Sequence, residues 1–260
     1  MPEAGEQCPA CGRRVRGGTQ FCPGCGQTLA AKPGSEPSPV AARTPQGRRF
    51  AQHWEELKRV FWVFGLLLAT SLVFGIASRS ARMPWMDLAE AAVDASIVFV
   101  AVALRFRKLA FLFQLRPIEL RESAVLVGIS FLFVVLASAY FWTLEHAGVP
   151  MGSTSGALRE AGWPTWAIFL IVSVAPAIIE ELAFRGVIQS SLERVFNARD
   201  AWLIQAALFS VLHLSPLIFP SHFLMGLCFG YMRRRSRSIY PGMLLHGCWN
   251  ALVVLEELPG

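Results

Sequence analysis

The chain has 260 residues, of which 54% are hydrophobic and 16% charged, and its mean hydropathy is +0.45. This composition excludes an ordinary soluble domain, and an aromatic content of 12% excludes intrinsic disorder over most of the length. The net charge of +6 does not indicate a nucleic-acid partner, because most Lys and Arg residues lie at the ends of apolar runs, where they orient a membrane protein. The sequence therefore predicts an integral membrane protein with a small water-exposed head.

The head contains four of the six cysteines, in the sequence CPACGRRVRGGTQFCPGCG. Each Cys-Pro-x-Cys-Gly knuckle brings two thiolates to one tight turn, and two knuckles complete a tetrahedral shell of four thiolates. So short a segment cannot bury enough apolar surface to fold alone, so a bound metal would supply the folding free energy. We expect a structural zinc ribbon in a reducing compartment, with a redox dithiol pair or free thiols as the alternatives. The predicted ligands are Cys8, Cys11, Cys22 and Cys25.

The chain divides into four parts on composition. The zinc ribbon occupies residues 1–29. It could bind a partner, which the sequence does not identify. Residues 30–52 are rich in Pro, Gly, Ser and Ala without a hydrophobic period, which predicts a flexible linker. N-terminal transmembrane helices follow over residues 53–162, and a second group of transmembrane helices over residues 163–260.

The region after the linker contains seven apolar segments of helical character, which predicts an all-α bundle of about seven transmembrane helices. The sixth segment is too short to span a bilayer unaided. It is retained because Gly226 and Gly230 form a G-x-x-x-G pair, which allows close packing on a neighbouring helix. The segments are Phe61–Ser78, Leu88–Leu104, Ala124–Phe141, Trp163–Phe184, Ala201–Phe219, His222–Met232 and Ile239–Leu255.

The basic residues alternate between the connections of these segments. Of the 24 Lys and Arg residues, 21 lie on one set of alternate connections and 3 on the other. By the positive-inside rule, the ribbon is expected in the cytoplasm and the C-terminus outside a plasma or inner membrane.

Ionisable and amide side chains interrupt three of the later segments. Because such groups cost a few kcal/mol inside a bilayer, each is a candidate for function. Glu90 and Asp94, near the start of the second segment, are interpreted as reaching the aqueous edge, and His222 is assigned no role. The candidate site residues are Glu180, Glu181, Arg185, His213, His246 and Asn250.

Helical spacing separates the two adjacent glutamates. Glu181 and Arg185 are four residues apart on one helix face, in the order that favours an ion pair. Glu180 is rotated by about 100° from Glu181 and has no local partner, which suits a general base. Three helices are expected to bring this carboxylate, two imidazoles and one carboxamide to a common cavity.

The pattern E-E-x-x-x-R, F-x-x-x-H and H-x-x-x-N over residues 163–255 resembles that of the CAAX protease and bacteriocin-processing (CPBP) family of intramembrane proteases. The resemblance implies that Glu180 and His213 activate the hydrolytic water, and that His246 and Asn250 hold the oxyanion. It also implies a membrane-associated protein or peptide as substrate. The ribbon lies outside the part of the chain that resembles this family.

Three alternatives remain open at this stage. Glu180, His213 and His246 are also a possible ligand set for a hydrolytic zinc ion, although metal-free hydrolysis is favoured because the spacing lacks two ligands on one helical turn. The bundle could instead be an inactive protease homologue that scaffolds a membrane partner. A proton-coupled transporter is the third alternative, although no inverted repeat is visible.

Overall fold

The computed structural model describes residues 6–15, 29, 45–80, 85–115, 119–149 and 152–257. The chain separates into two compact units, Met1–Gln52 and His53–Gly260, which are described one at a time. Cys22 and Cys25 lie outside the described residues, so half of the predicted zinc site has no structural description.

The first unit contains an antiparallel hairpin of β1 (Glu6–Gln7) and β2 (Arg14–Val15), in which Glu6 pairs with Val15. Cys8 and Cys11 lie in the turn of this hairpin. The Cys8 amide donates to the Arg13 carbonyl and the Gly12 amide to the Cys8 carbonyl, each at 2.9 Å. Gly12 has a φ of +69°, a conformation that favours glycine. These hydrogen bonds and the left-handed Gly12 therefore form one tight backbone turn that contains both cysteines.

The second unit is helical throughout its described part. The helices are α1 (Pro45–Ser80, which begins in the first unit), α2 (Trp85–Ala103), α3 (Phe106–Leu109), α4 (Leu120–His146), α5 (Thr154–Glu160), α6 (Thr165–Leu192), α7 (Ala198–Leu212), α8 (Phe219–Ser236) and α9 (Tyr240–Glu257). A short 3₁₀ helix, Ala110–Phe113, follows α3, and α6 contains π-helical turns at Leu170–Val174 and Glu181–Ile188.

Helix ends follow local sequence signals. The Asn197 side chain caps α7 by accepting from the amides of Arg199 and Asp200, and the Ser153 hydroxyl caps α5. Pro220 lies in the first turn of α8, where a missing amide hydrogen costs nothing. Pro45 likewise begins α1, so the helix includes the last residues that the sequence assigned to the flexible linker.

All seven predicted apolar segments overlap helices, but several predicted boundaries are wrong. Helix α1 begins at Pro45 rather than near Phe61, and α6 continues to Leu192 rather than ending near Phe184. The fifth segment was expected to continue to Phe219, but α7 ends at Leu212 and a turn follows. The sixth was expected from His222 to Met232, but α8 runs from Phe219 to Ser236. Apolar residues on both sides of Pro216 conceal this turn from a hydropathy pattern.

Among the described helices, three are long and apolar enough to cross a membrane: Phe50–Ser78 within α1, Leu120–His146 and Thr165–Leu192. The most apolar window of α4 is only 17% buried inside the protein, whereas that of α6 is 44% buried. The exposed apolar faces need a lipid environment, and α6 is the most enclosed of the three. The prediction of an all-α membrane protein agrees with this architecture, while the number of seven spans stays a prediction.

Charged residues join the helices at one end of the bundle. The Arg105 guanidinium, at the end of α2, binds the buried Glu56 carboxylate of α1 at 2.8 and 3.0 Å. Arg233 at the end of α8 pairs with Glu193. The pKa of the exposed Lys108 is lowered, first by the neighbouring Arg105 guanidinium, which reflects the high density of positive charge at this end.

Arg185 is an exception to this distribution. It was counted among the 21 basic residues of the connections, but it is fully buried inside α6. The excess of basic residues on one side is therefore one residue smaller than the sequence count, and its direction is unchanged.

Candidate active site

The predicted ion pair between Glu181 and Arg185 is confirmed. Glu181 Oε1 lies 2.8 Å from Arg185 Nη1, and neither side chain is exposed. The guanidinium carbon also lies 4.4 Å from the ring centre of Phe209 and 5.1 Å from that of Phe229. Two aromatic faces and a carboxylate therefore stabilise the buried cation.

His246 connects the two glutamates. Its Nδ1 lies 3.3 Å from Glu181 Oε1, and its Nε2 lies 3.9 Å from Glu180 Oε2. Because an ionised carboxylate can only accept, Nδ1 is the donor to Glu181. The imidazole is buried, with 3% of its side chain exposed. The first and third motifs thus meet through direct contacts.

Helix α9 approaches Glu181 closely because Gly242 has no side chain. A Cβ atom at Gly242 would lie 2.7 Å from Glu181 Oε2. Further along the interface, the Ser173 hydroxyl of α6 donates to the Gly247 carbonyl at 2.8 Å. These contacts set the depth at which α9 presents His246, and the sequence analysis did not identify Gly242.

Glu180 has a different environment from Glu181. Its side chain is 23% exposed and lines a cavity of about 750 Å³ together with His213. Its Oε2 atom is enclosed and has no hydrogen-bond partner among the described residues. The side chain as a whole is nevertheless partly exposed to the cavity, so the carboxylate is accessible to a water molecule or to a substrate.

The same cavity is lined by Glu90 and Asp94 of α2, which the sequence analysis interpreted as reaching the aqueous edge. Asp94 Oδ1 is buried and without a hydrogen-bond partner in the described part of the chain. Every titratable residue along this cavity is acidic except His213. The i, i+4 spacing of Glu90 and Asp94 on an apolar helix was the sequence signal that could have placed them here.

His213 caps the C-terminal end of α7. Its Nδ1 lies 2.9 Å from the Phe209 carbonyl oxygen, so Nδ1 carries the hydrogen and Nε2 is the free acceptor nitrogen. Leu214 follows with a φ of +53°, a left-handed conformation that turns the chain away from the helix axis. The helix end and the turn together fix where the imidazole lies.

Asn250 does not share the cavity of Glu180 and His213, contrary to the expectation of one common cavity. It lines a second cavity of about 890 Å³ with His222 and Trp249. Asn250 lies one turn beyond His246 on α9, and the ends of α4 and α9 bound its cavity. His246 itself is enclosed between helices and lines neither cavity.

His222 was assigned no role from the sequence, but the structure places it beside the site. Its ring centre lies 3.9 Å from that of His213. No three His, Cys, Asp or Glu side chains within the described ranges are grouped to hold a metal ion. Metal-free hydrolysis, which the sequence favours, stays a prediction, and a zinc ion at the catalytic site stays its alternative.

Comparison with known proteins identifies the region that contains these motifs. Residues 162–252 match the family model described as Type II CAAX prenyl endopeptidase Rce1-like. No curated protein and no solved structure matches the chain. The match begins one residue before the predicted catalytic region and includes all three motifs.

Proposed function

We propose that this protein is an intramembrane endopeptidase of the CPBP type that cleaves a membrane-associated protein or peptide. Glu180 takes a proton from water, His213 orients that water through its free Nε2, and the resulting hydroxide attacks the peptide carbonyl carbon. Glu180 then returns the proton to the leaving amine as the C–N bond breaks. The matched family model and the shared cavity of Glu180 and His213 support this assignment.

The observation that carries the proposal is the unequal use of the two glutamates. Glu181 is fully buried and contacts Arg185 and His246, whereas the Glu180 side chain is 23% exposed and lines a cavity. A general base must reach a water molecule, and this requirement favours Glu180.

His246 and Asn250 are proposed to stabilise the oxyanion. Since His246 Nδ1 donates to Glu181, donation from Nε2 requires the imidazolium form. Asn250 lines the neighbouring cavity. It would reach the same oxyanion only when a bound substrate extends through both cavities.

The head is proposed to be a zinc ribbon in the cytoplasm. The hairpin turn that contains Cys8 and Cys11, with left-handed Gly12, suits a thiolate knuckle and supports two of its four ligands. When bound, zinc would supply the folding free energy of a segment with little apolar core.

Metal dependence tests the ribbon. A peptide of residues 1–30 should bind one zinc ion and lose ordered structure on chelation, as followed by circular dichroism and metal analysis. A Cys8→Ser and Cys25→Ser variant should not bind, and a well-folded metal-free peptide would contradict the proposal.

Loss of the proposed base tests the peptidase. Cells producing the wild-type protein should accumulate new C-terminal ends in membrane proteins, detected by mass spectrometry, and cells producing Glu180→Gln should not. Glu160→Gln, an exposed change of the same chemistry on α5, is the matched control and should behave as the wild type. Equal fragment patterns in all three strains would reject peptidase activity and favour the scaffold alternative.

A detergent-purified sample tests the substrate class. A quenched fluorescent peptide ending in a farnesylated CAAX sequence, the substrate type named by the matched family model, is compared with its unprenylated form. Cleavage of only the farnesylated peptide would assign prenyl-peptide specificity.

A further inference from the structure

We propose that His222 is a positioning residue for His213, so that the site contains two contacting imidazoles from two helices, with their ring planes inclined to one another. This inference rests on the proposed peptidase function for its catalytic consequence. Its structural part is independent of that function and can be measured separately.

The two rings are in direct contact. Their centres are 3.9 Å apart and their planes are inclined by 48°. Phe209 contacts both rings, edge-on to His213 with centres 5.1 Å apart and stacked near His222 with centres 6.0 Å apart. His213 is therefore held by an aromatic neighbour from its own helix and by one from α8.

The position of His213 at a helix end explains why a second helix must support it. In the middle of a helix, residues three and four positions further along would pack against the ring. For His213 these are Pro216 and Leu217, which lie in the turn after α7. The ring of His222 contacts His213 and provides the packing that the next turn of a longer helix would have provided.

His222 is itself fixed by backbone contacts. Its Nδ1 lies 3.1 Å from the Ile218 carbonyl oxygen and 3.2 Å from the Ser221 hydroxyl, which donates to the same carbonyl at 2.8 Å. The carbonyl can only accept, so His222 Nδ1 carries the hydrogen, as in His213. The ring is thus anchored to the first turn of α8.

Helix α8 is in turn fixed against α7. The Ser210 hydroxyl donates to the Phe219 carbonyl at 2.6 Å, next to the turn that joins the two helices. A rigid connection at this point transmits the position of His222 to His213 instead of allowing the two rings to move apart.

The two contacting imidazoles also lie between the two cavities. His213 lines the cavity of Glu180, and His222 lines the cavity of Asn250. Because the rings contact one another, they form part of the wall that separates these spaces. Removing the His222 ring would both release His213 and open this wall.

Chemical modification of the purified full-length protein tests the contact without requiring a substrate. Diethyl pyrocarbonate acylates a free imidazole nitrogen, and mass spectrometry gives the rate at His213. We expect His222→Ala to raise this rate at least fivefold, and His222→Phe to leave it within twofold of the wild type, because a planar ring still covers His213.

His146→Ala is the matched control. His146 makes the same kind of contacts, with Nδ1 2.9 Å from the Trp142 carbonyl and its ring centre 3.9 Å from that of Trp142, but it lines neither cavity. Its replacement should leave the His213 rate unchanged. If His222→Ala unfolds, as judged by a melting curve, His222→Leu replaces it, since leucine retains volume without a planar ring.

Turnover of the farnesylated peptide provides the catalytic readout. We expect His222→Ala or His222→Leu to lower kcat about tenfold with little change in KM, and His222→Phe to restore most of it. Unchanged modification in the ring-deleted variant, or equal effects of Phe and Ala, would overturn the proposal. If the wild type cleaves no peptide and produces no fragments in cells, but the modification rates differ as expected, the proposed function fails and the positioning role stands.

Discussion

At the scale of single residues, the rotation between neighbouring positions of one helix gives Glu180 and Glu181 different surroundings. One turn of α6 points Glu181 at Arg185 and at α9, and the preceding residue faces a cavity. The proposed protease site needs both environments, because a base must be accessible while the charged groups that hold the helices together must not be.

Gly242→Ala is expected to impair the site through Glu181. The new Cβ would lie 2.7 Å from Glu181 Oε2 and would displace the carboxylate from His246 and Arg185. We expect a loss of stability of about 1–3 kcal/mol, typical of overpacking, and at least a tenfold loss of turnover, measured by melting curves and by peptide cleavage.

Gly247→Ala on the same helix is the control for this prediction. A Cβ at Gly247 would lie 3.6 Å from the nearest atom, Ala177 Cβ, which is an ordinary contact. If the two alanine variants lose the same stability and turnover, the close approach to Glu181 is not what requires glycine at position 242.

At the scale of helices, the G-x-x-x-G prediction is confirmed in detail. A Cβ at Gly226 would lie 2.7 Å from the Cα of Ala206, so α7 and α8 approach to backbone contact. Side chains of α7 also satisfy carbonyl groups of α8, with Gln205 donating to Gly226 at 2.7 Å and Trp202 to Leu227 at 2.8 Å.

Gly226→Ala should therefore separate α7 from α8. Because the obstructing atoms belong to the backbone, the clash cannot be relieved by a rotamer change, and we expect a destabilisation of about 1–3 kcal/mol. Gly128→Ala on α4, where no atom lies within 4 Å of the new Cβ, should be neutral or slightly stabilising. Equal melting temperatures for the two variants would contradict the close-packing explanation.

These helices also define what the sequence could and could not predict. Apolar runs and the Glu181–Arg185 spacing depend on local periodicity, and both predictions hold in the structure. The end of α7 was missed because Leu214, Leu217 and Ile218 extend the apolar run through the turn. A hydrophobic pattern depends only on which residues are apolar, so a turn made of apolar residues does not interrupt the pattern.

The sequence could predict which residue types belong to the candidate site, but it could not predict how these residues are arranged in space. His222 and Gly242 act through contacts between helices, and no spacing within one helix encodes such contacts. Asn250 shares a helix face with His246 by the i, i+4 rule, yet Asn250 lines the second cavity whereas His246 is buried between helices.

At the scale of the whole molecule, basic residues join the helices at one end, and the cavity of Glu180 is lined by acidic residues.

The lengths of α7 and α8 determine whether each helix can cross the bilayer. At a rise of 1.5 Å per residue, the 15 residues of α7 extend roughly 22 Å and the 18 residues of α8 roughly 27 Å, both short of a hydrocarbon core of about 30 Å.

The lengths of α7 and α8 leave two arrangements that the position of the C-terminus does not distinguish. Two full crossings and a re-entrant pair both return the chain to the side from which α7 starts, so α9 begins on the basic side in either case. The predicted excess of basic residues places that side in the cytoplasm and the C-terminus outside. We expect an alkaline phosphatase fused after residue 260 to be active and one fused after Ser236 to be inactive, and a reversed result would reject the predicted orientation.

Accessibility of the turn between α7 and α8 separates the two arrangements. In a variant with Cys228 and Cys248 replaced by serine, Ser215→Cys places a single new thiol in this turn. Because the sequence predicts seven crossings, we expect the turn to reach the outer surface, and a membrane-impermeant maleimide added to intact cells should label it. The control is Arg234→Cys, an exposed position in the last turn of α8 at the basic end, which should be labelled only after the cells are opened. A Ser215 thiol that stays unlabelled in opened cells as well would mean that the turn ends inside the membrane, and the bundle would then have fewer crossings than seven.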